Sequence, residues 1–115
     1  MIKRWEIYKA NLDPTIGSEQ GKSRPVVIIS ENSINDLLNT VNIIPLTSRK
    51  NDRRIYPNEV LIEQSKFGLI NESIVLCQQI RTIDKRRLLH KYGEIIDLEI
   101  QNKIIESLCF QLGIQ

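Results

Sequence analysis

The chain has 115 residues, 41% hydrophobic and 26% charged, with a formal net charge of +2. That length predicts one domain, residues 1–115, built on one core. No apolar run approaches membrane-spanning length, Met1-Ile2-Lys3-Arg4-Trp5-Glu6 does not read as a signal peptide, and Cys77 and Cys109 lack metal-ligand spacing. A cytoplasmic protein with reduced thiols, no membrane association and no metal centre is the expectation.

The charge is uneven. Residues 1–96 carry 15 Lys/Arg and 11 Asp/Glu, a net of +4, whereas residues 97–115 carry one and three, a net of −2. A mildly basic body suits a nucleic-acid partner and an ordinary solvated surface equally well.

Trp5 to Leu12 alternates larger or apolar residues with polar ones, slipping near Ala10, and predicts a first strand. Asp13-Pro14 opens a long polar loop that runs through Gly17 and Gly21 to Arg24. Val26 to Glu31 is the second strand, with Pro25 at its first position, where no ladder donor is needed. Asn32-Ser33 caps a short helical turn, Ile34 to Leu38.

Thr40 to Ser48 is the third strand, and Pro45 places it near a sheet edge or bulge. A polar, mobile loop, Arg49 to Arg54, leads to a fourth strand, Glu59 to Glu63, and then a connector, Gln64 to Asn71. Ser73 to Asp84 reads as the longest strand, apolar in its first half, with Gln79 and Arg81 on one face of its second. A last strand, Leu88 to Ile96, is interrupted at Gly93. Asp97 caps a closing helix, Leu98 to about Leu112, ended by Gly113. Its apolar stripe is Ile100, Ile104, Ile105, Leu108, Cys109 and Leu112. Together these elements predict a mainly β fold: a small, strongly bent sheet or barrel with a C-terminal amphipathic helix packed against it.

Candidate chemistry is narrow. One histidine, His90, excludes a two-histidine ribonuclease arrangement within a chain. No HExxH, P-loop, GxSxG or Cys/His cluster occurs. What remains is polar groups at strand ends. If the second and third strands are antiparallel neighbours, Arg24 at the start of one meets Thr47 near the end of the other. A guanidinium beside a hydroxyl makes a phosphate site, although Thr47 could merely satisfy a turn.

The segment Ala10-Asn11-Leu12-Asp13-Pro14-Thr15-Ile16-Gly17-Ser18-Glu19-Gln20-Gly21-Lys22-Ser23-Arg24-Pro25-Val26-Val27-Ile28-Ile29-Ser30 resembles the opening of the MazF/PemK toxin family. Ile44-Pro45-Leu46-Thr47-Ser48 and Gln79-Ile80-Arg81-Thr82-Ile83-Asp84-Lys85-Arg86-Arg87-Leu88 resemble its second and third signatures, in family order and spacing. The resemblance implies an SH3-like β-barrel shared with CcdB, working as a homodimer. It also implies metal-independent, cofactor-free, sequence-specific cleavage of single-stranded RNA, restrained by a cognate antitoxin. Catalytic roles carry onto Arg24 and Thr47. RNA contacts carry onto Ser18, Glu19, Gln20, Gly21 and Lys22, and further onto Ser48 and Gln79. Position 78 is Gln where relatives often carry an acid.

Such cleavage needs no protein nucleophile. The RNA 2′-hydroxyl attacks its own phosphate, while Arg24 and Thr47 stabilise the charge. Glu19 is the nearest carboxylate in sequence. Arg49, Lys50, Arg53 and Arg54 could steer the RNA backbone. Two rivals stand beside this: a gyrase-poisoning module like CcdB, and a barrel that binds RNA without cutting it. The tail Leu112-Gly113-Ile114-Gln115 lacks the Trp of the Trp-Gly-Ile motif that gyrase poisons carry, which argues against the first.

Overall fold

The computed structural model describes residues 1–115. Seven strands and two helices follow one another: β1 (Glu6–Asn11), β2 (Ser23–Ile28), α1 (Asn32–Leu37), β3 (Thr40–Ser48), β4 (Glu59–Ile62), β5 (Ser73–Leu76), β6 (Arg81–Asp84), β7 (Leu88–Glu94) and α2 (Leu98–Leu112). All pairings are antiparallel. The strands join in the order β4-β5-β3-β2-β1-β7, and β6 pairs with β3 off that path. This is the bent, helix-terminated β architecture expected from the sequence.

β3 bends the sheet by changing partners. Thr40–Ile43 pairs with β6, and Leu46–Ser48 pairs with β5. Ile44 and Pro45 sit at the corner between, unpaired on that side. Pro45, expected near an edge or bulge, thus lies inside the central strand, at the corner where that side asks for no ladder donor. Pro25, expected to open β2, is its third residue, just beyond the last β2–β3 pair, Val26 with Pro45.

Alternate residues of β2 and β3 face two apolar layers rather than one core. Val27, Ile44 and Leu46 pack with Val60, Val75, Ile95 and Ile104. Val26, Ile28 and Ile43 pack with Ala10, Leu12, Val41 and Ile83. α2 closes the larger layer through Ile104, with Ile100, Ile105 and Leu108 alongside. Its bounds match the prediction. The Asp97 carboxylate accepts from the Glu99 and Ile100 amides, and Gly113 ends the helix at φ 69°, in the left-handed region. The predicted apolar stripe is only partly covered, since Leu112 is 51% exposed.

Three other expectations are corrected. The segment Ser73 to Asp84 is two strands, broken by a 3-10 turn at Cys77–Gln79. α1 starts at Asn32 and is capped by the Glu31 carboxylate, not by Asn32 or Ser33. The loop after β3 is braced rather than free. Arg53 Nη1 and Nη2 bond the two carboxylate oxygens of Glu59 at 3.0 and 2.9 Å, and the Tyr56 amide donates to the same group at 3.0 Å. Arg49 donates to Arg53 O at 2.9 Å and reaches Glu72 at 3.4 Å.

Gly93, read in the sequence as an interruption, lies inside β7 because backbone crosses there. A Cβ on it would stand 2.1 Å from Phe67 O, and one on Gly68 would stand 2.0 Å from Tyr92 O. Gly93→Ala therefore forces the connector off β7 and lowers stability by about 1–3 kcal/mol, read as a lower urea midpoint.

Glu59 makes stability pH-dependent. Burial alone would raise its pKa, but the Arg53 hydrogen bonds, the Tyr56 amide and the Arg53 charge hold it below the usual carboxylate range. A carboxyl depressed by folding favours the folded state above its unfolded pKa, and that contribution is lost as pH falls through the folded value. Chemical denaturation should show stability declining below about pH 4.3. Glu59→Gln should make that decline shallower and remove about 1.5–3 kcal/mol at pH 7.

Candidate active site

The β2–β3 register builds the site. Val26 lies opposite Pro45 and Val27 opposite Ile44, so two further residues along the same pairing bring Arg24 opposite Thr47. The side chains meet: Arg24 Nη1 donates to Thr47 Oγ1 at 3.4 Å, and Arg24 Nε donates to Gly21 O at 2.9 Å. The second bond is the better one, because 3.4 Å is long for N–H···O. Both residues are half-buried. Arg24 forms no ion pair, and its Nη2 makes no hydrogen bond within the chain. The guanidinium is therefore aimed by neutral oxygens, with no carboxylate paired to it. Thr47 Oγ1, accepting from Arg24, still has its own proton to donate.

The β1–β2 loop comes to this pair through its backbone. Gln79 Oε1 accepts from the Gln20 amide at 3.3 Å, and Gln79 Nε2 donates to Ser18 O at 3.2 Å. Gln79 thus pairs with Ser18 and Gln20 as a strand would, from a 3-10 turn and not from the strand face predicted for it. Gln20 Oε1 is buried without a partner. The Glu19 carboxylate accepts from the Ile16 amide at 2.8 Å, which closes a turn within the loop. Lys22 holds the left-handed conformation at φ 62°, with its side chain exposed. Ser48, one residue beyond Thr47, falls on the opposite face by strand alternation. It lines a groove with Pro25, Leu69, Asn71 and Ser73, apart from the Arg24–Thr47 pair.

Three residues escaped the sequence reading as loop anchors. Arg81 Nη1 donates to Leu12 O at 3.1 Å. Arg87 Nη1 donates to Asn11 O at 3.1 Å and Asp13 O at 2.6 Å. The Asp13 carboxylate accepts from the Lys22 amide at 2.8 Å. The basic run Lys85-Arg86-Arg87 was the available signal, but nothing in it says that Arg87 turns to carbonyls while Arg86 folds back on Asp84.

The cations expected to steer RNA divide in two. Arg49 and Arg53 are held by Glu72 and Glu59. Lys50 is exposed, and Arg54 stacks over the Tyr56 ring at 5.5 Å. Burial pushes the Cys77 thiol up to about 12, so it stays protonated and is no nucleophile. No three side chains of metal-ligating type gather in one place. The grooves of the surface do not include Arg24 or Thr47.

The fold and sequence have relatives. Residues 3–112 match the family model of the PemK-like, MazF-like toxin of type II toxin–antitoxin systems. The chain is 43% identical over 111 residues to the endoribonuclease MazF of Staphylococcus saprophyticus, covering 94% of this chain and 92% of that one. It is similar to the crystal structure of MazF from Deinococcus radiodurans, with a TM-score of 0.82 at 25% identity, covering 98% of this chain and 97% of that one. It is also similar to a mycobacterial endoribonuclease solved in complex with its cognate antitoxin, with a TM-score of 0.80 at 25% identity, over 100% of this chain and 98% of that one. With nearly its whole length matched, the chain belongs to the PemK-like, MazF-like toxins of type II toxin–antitoxin systems.

Proposed function

We propose that this toxin is an endoribonuclease that cuts single-stranded RNA by intramolecular attack, with Arg24 and Thr47 as its catalytic groups. The observation that carries the assignment is an arginine without an acid partner, aimed by Gly21 O and touching the Thr47 hydroxyl. The RNA 2′-oxygen forms a bond to phosphorus as the bond from phosphorus to the 5′-oxygen breaks. The 2′-hydroxyl loses its proton and the leaving 5′-oxygen gains one. The products are a 2′,3′-cyclic phosphate and a 5′-hydroxyl.

In this reading Arg24 offsets the negative charge that builds on the phosphorane oxygens, and Thr47 donates its hydroxyl proton to one of them. Both act by being in place before the reaction. Glu19 is not assigned the general base, since its carboxylate is engaged with the Ile16 amide. Ser18, Gln20 and Lys22 share a loop with Gly21, whose carbonyl holds Arg24, and would meet the flanking nucleotides, with Lys50 and Arg54 supplying backbone attraction. The protein works in the cytoplasm as a homodimer restrained by a cognate antitoxin. Exposed Phe110, Leu112 and Ile114 at the end of α2 support a further contact surface.

Incubation of purified protein with RNA in EDTA, followed by mapping of the ends, should give 2′,3′-cyclic phosphate and 5′-hydroxyl termini. Arg24→Ala and Thr47→Ala should each slow cleavage by on the order of a hundredfold while the protein stays folded. A 2′-deoxy sugar at the cut position should abolish cleavage. Wild-type rates from either variant, or cutting at the deoxy position, would refute the assignment.

A further inference from the structure

We propose that Asp13 is a positioning residue for RNA cleavage: its carboxylate fixes the backbone carbonyl that aims the Arg24 guanidinium. The inference rests on the role given to Arg24 above and extends it by one link.

The aim of Arg24 depends chiefly on Gly21 O, because the bond to Thr47 is long. Gly21 belongs to a loop with no ladder of its own, so its carbonyl needs another restraint. Asp13 Oδ1 supplies it by accepting from the amide of the next residue, Lys22, at 2.8 Å. This holds Lys22 at φ 62°, a conformation that a residue with a side chain resists. The Leu12 amide donates to Lys22 O at 2.9 Å and secures the following peptide, so the Gly21–Lys22 peptide itself is left to Asp13. Asp13 is itself anchored, its amide on Asn11 Oδ1 at 3.1 Å and its carbonyl under Arg87.

The packing at Gly21 is tight. A Cβ there would lie 2.6 Å from both Asp13 Oδ1 and Thr15 Oγ1. Position 21 therefore has room only for glycine while Asp13 keeps its bond to Lys22. The Asp13 carboxylate forms no ion pair, so what the loop uses is an oxygen acceptor and not a negative charge. An amide oxygen can serve the same donor.

The test measures single-turnover cleavage of an RNA carrying the mapped cut site, affinity for its 2′-deoxy analogue, and thermal unfolding. Asp13→Ala frees the Lys22 peptide, and Gly21→Ala displaces the same carbonyl from the other side. Each should slow cleavage about tenfold to a hundredfold, the scale of a misplaced catalytic group. The loss in rate should exceed any loss in affinity for the analogue. Asp13→Asn should restore most of the rate. A wild-type rate from Asp13→Ala overturns the proposal, and so does Asp13→Asn as slow as Asp13→Ala, which would mean the carboxylate acts by its charge or its proton. A loss confined to affinity also overturns it. If Asp13→Ala fails to fold, Asp13→Asn and Gly21→Ala decide. Arg24→Ala separates the two layers. A fast Arg24→Ala removes the reading beneath the proposal, whereas a slow Arg24→Ala with a fast Asp13→Ala removes the proposal alone.

Discussion

Arg24 and Thr47 meet because β2 and β3 keep one antiparallel register. A slip of one residue would turn Thr47 to the other face of the sheet and bring Ser48 in its place. Burial forbids the slip. Val26, Ile28 and Ile43 fill one apolar layer, while Val27, Ile44 and Leu46 fill the other. Shifting either strand would expose one set to water and push polar residues inward. The meeting of two polar side chains is thus held in place by buried apolar residues on both faces of the sheet.

Two sets of cations differ in what holds them. Arg53, Arg49 and Lys91 end on the carboxylates of Glu59, Glu72 and Glu6. Their charges are largely cancelled where they stand, and their work is to hold loops and strands. Arg24, Arg81 and Arg87 end on backbone carbonyls. A carbonyl orients a guanidinium without neutralising it, so these charges remain available to an anion. Net charge blurs this division, which is why the sequence of the loop after β3 does not tell the paired Arg49 and Arg53 from the exposed Lys50.

Local signals made much of the fold legible. β3 and α2 were bounded correctly because caps, turn residues and periodicity all lie within a few residues of each boundary. The meeting of Arg24 and Thr47 follows from their places at the start of one strand and the end of the next once the two are taken as antiparallel neighbours. What stayed hidden depends on distant partners. The break at Cys77–Gln79 falls where the buried run from Ser73 to Cys77 ends, and strand-like alternation resumes so soon after it, at Ile80-Arg81-Thr82-Ile83, that the two strands read as one. Pro45 looked like an edge residue because a corner inside a central strand leaves no trace in sequence. Asp13 was read as the start of a turn. Its bond to Lys22 spans nine positions and joins a side chain to a backbone amide, a pairing that no period predicts.

In the proposed reaction the substrate brings the nucleophile, so the protein has only to hold charge still. The site matches that need. No carboxylate or histidine is hydrogen-bonded to Arg24 or Thr47, the two acids of the loop accept from backbone amides (Glu19 from Ile16, Asp13 from Lys22), and the buried thiol of Cys77 keeps its proton. A pair outside the grooves of the surface suits the same chemistry, because in that reaction a single strand must lie across it with its ribose and phosphate in line. Discrimination against DNA then requires no steric gate. DNA can lie on the same surface and still survive, because it lacks the hydroxyl that the reaction consumes.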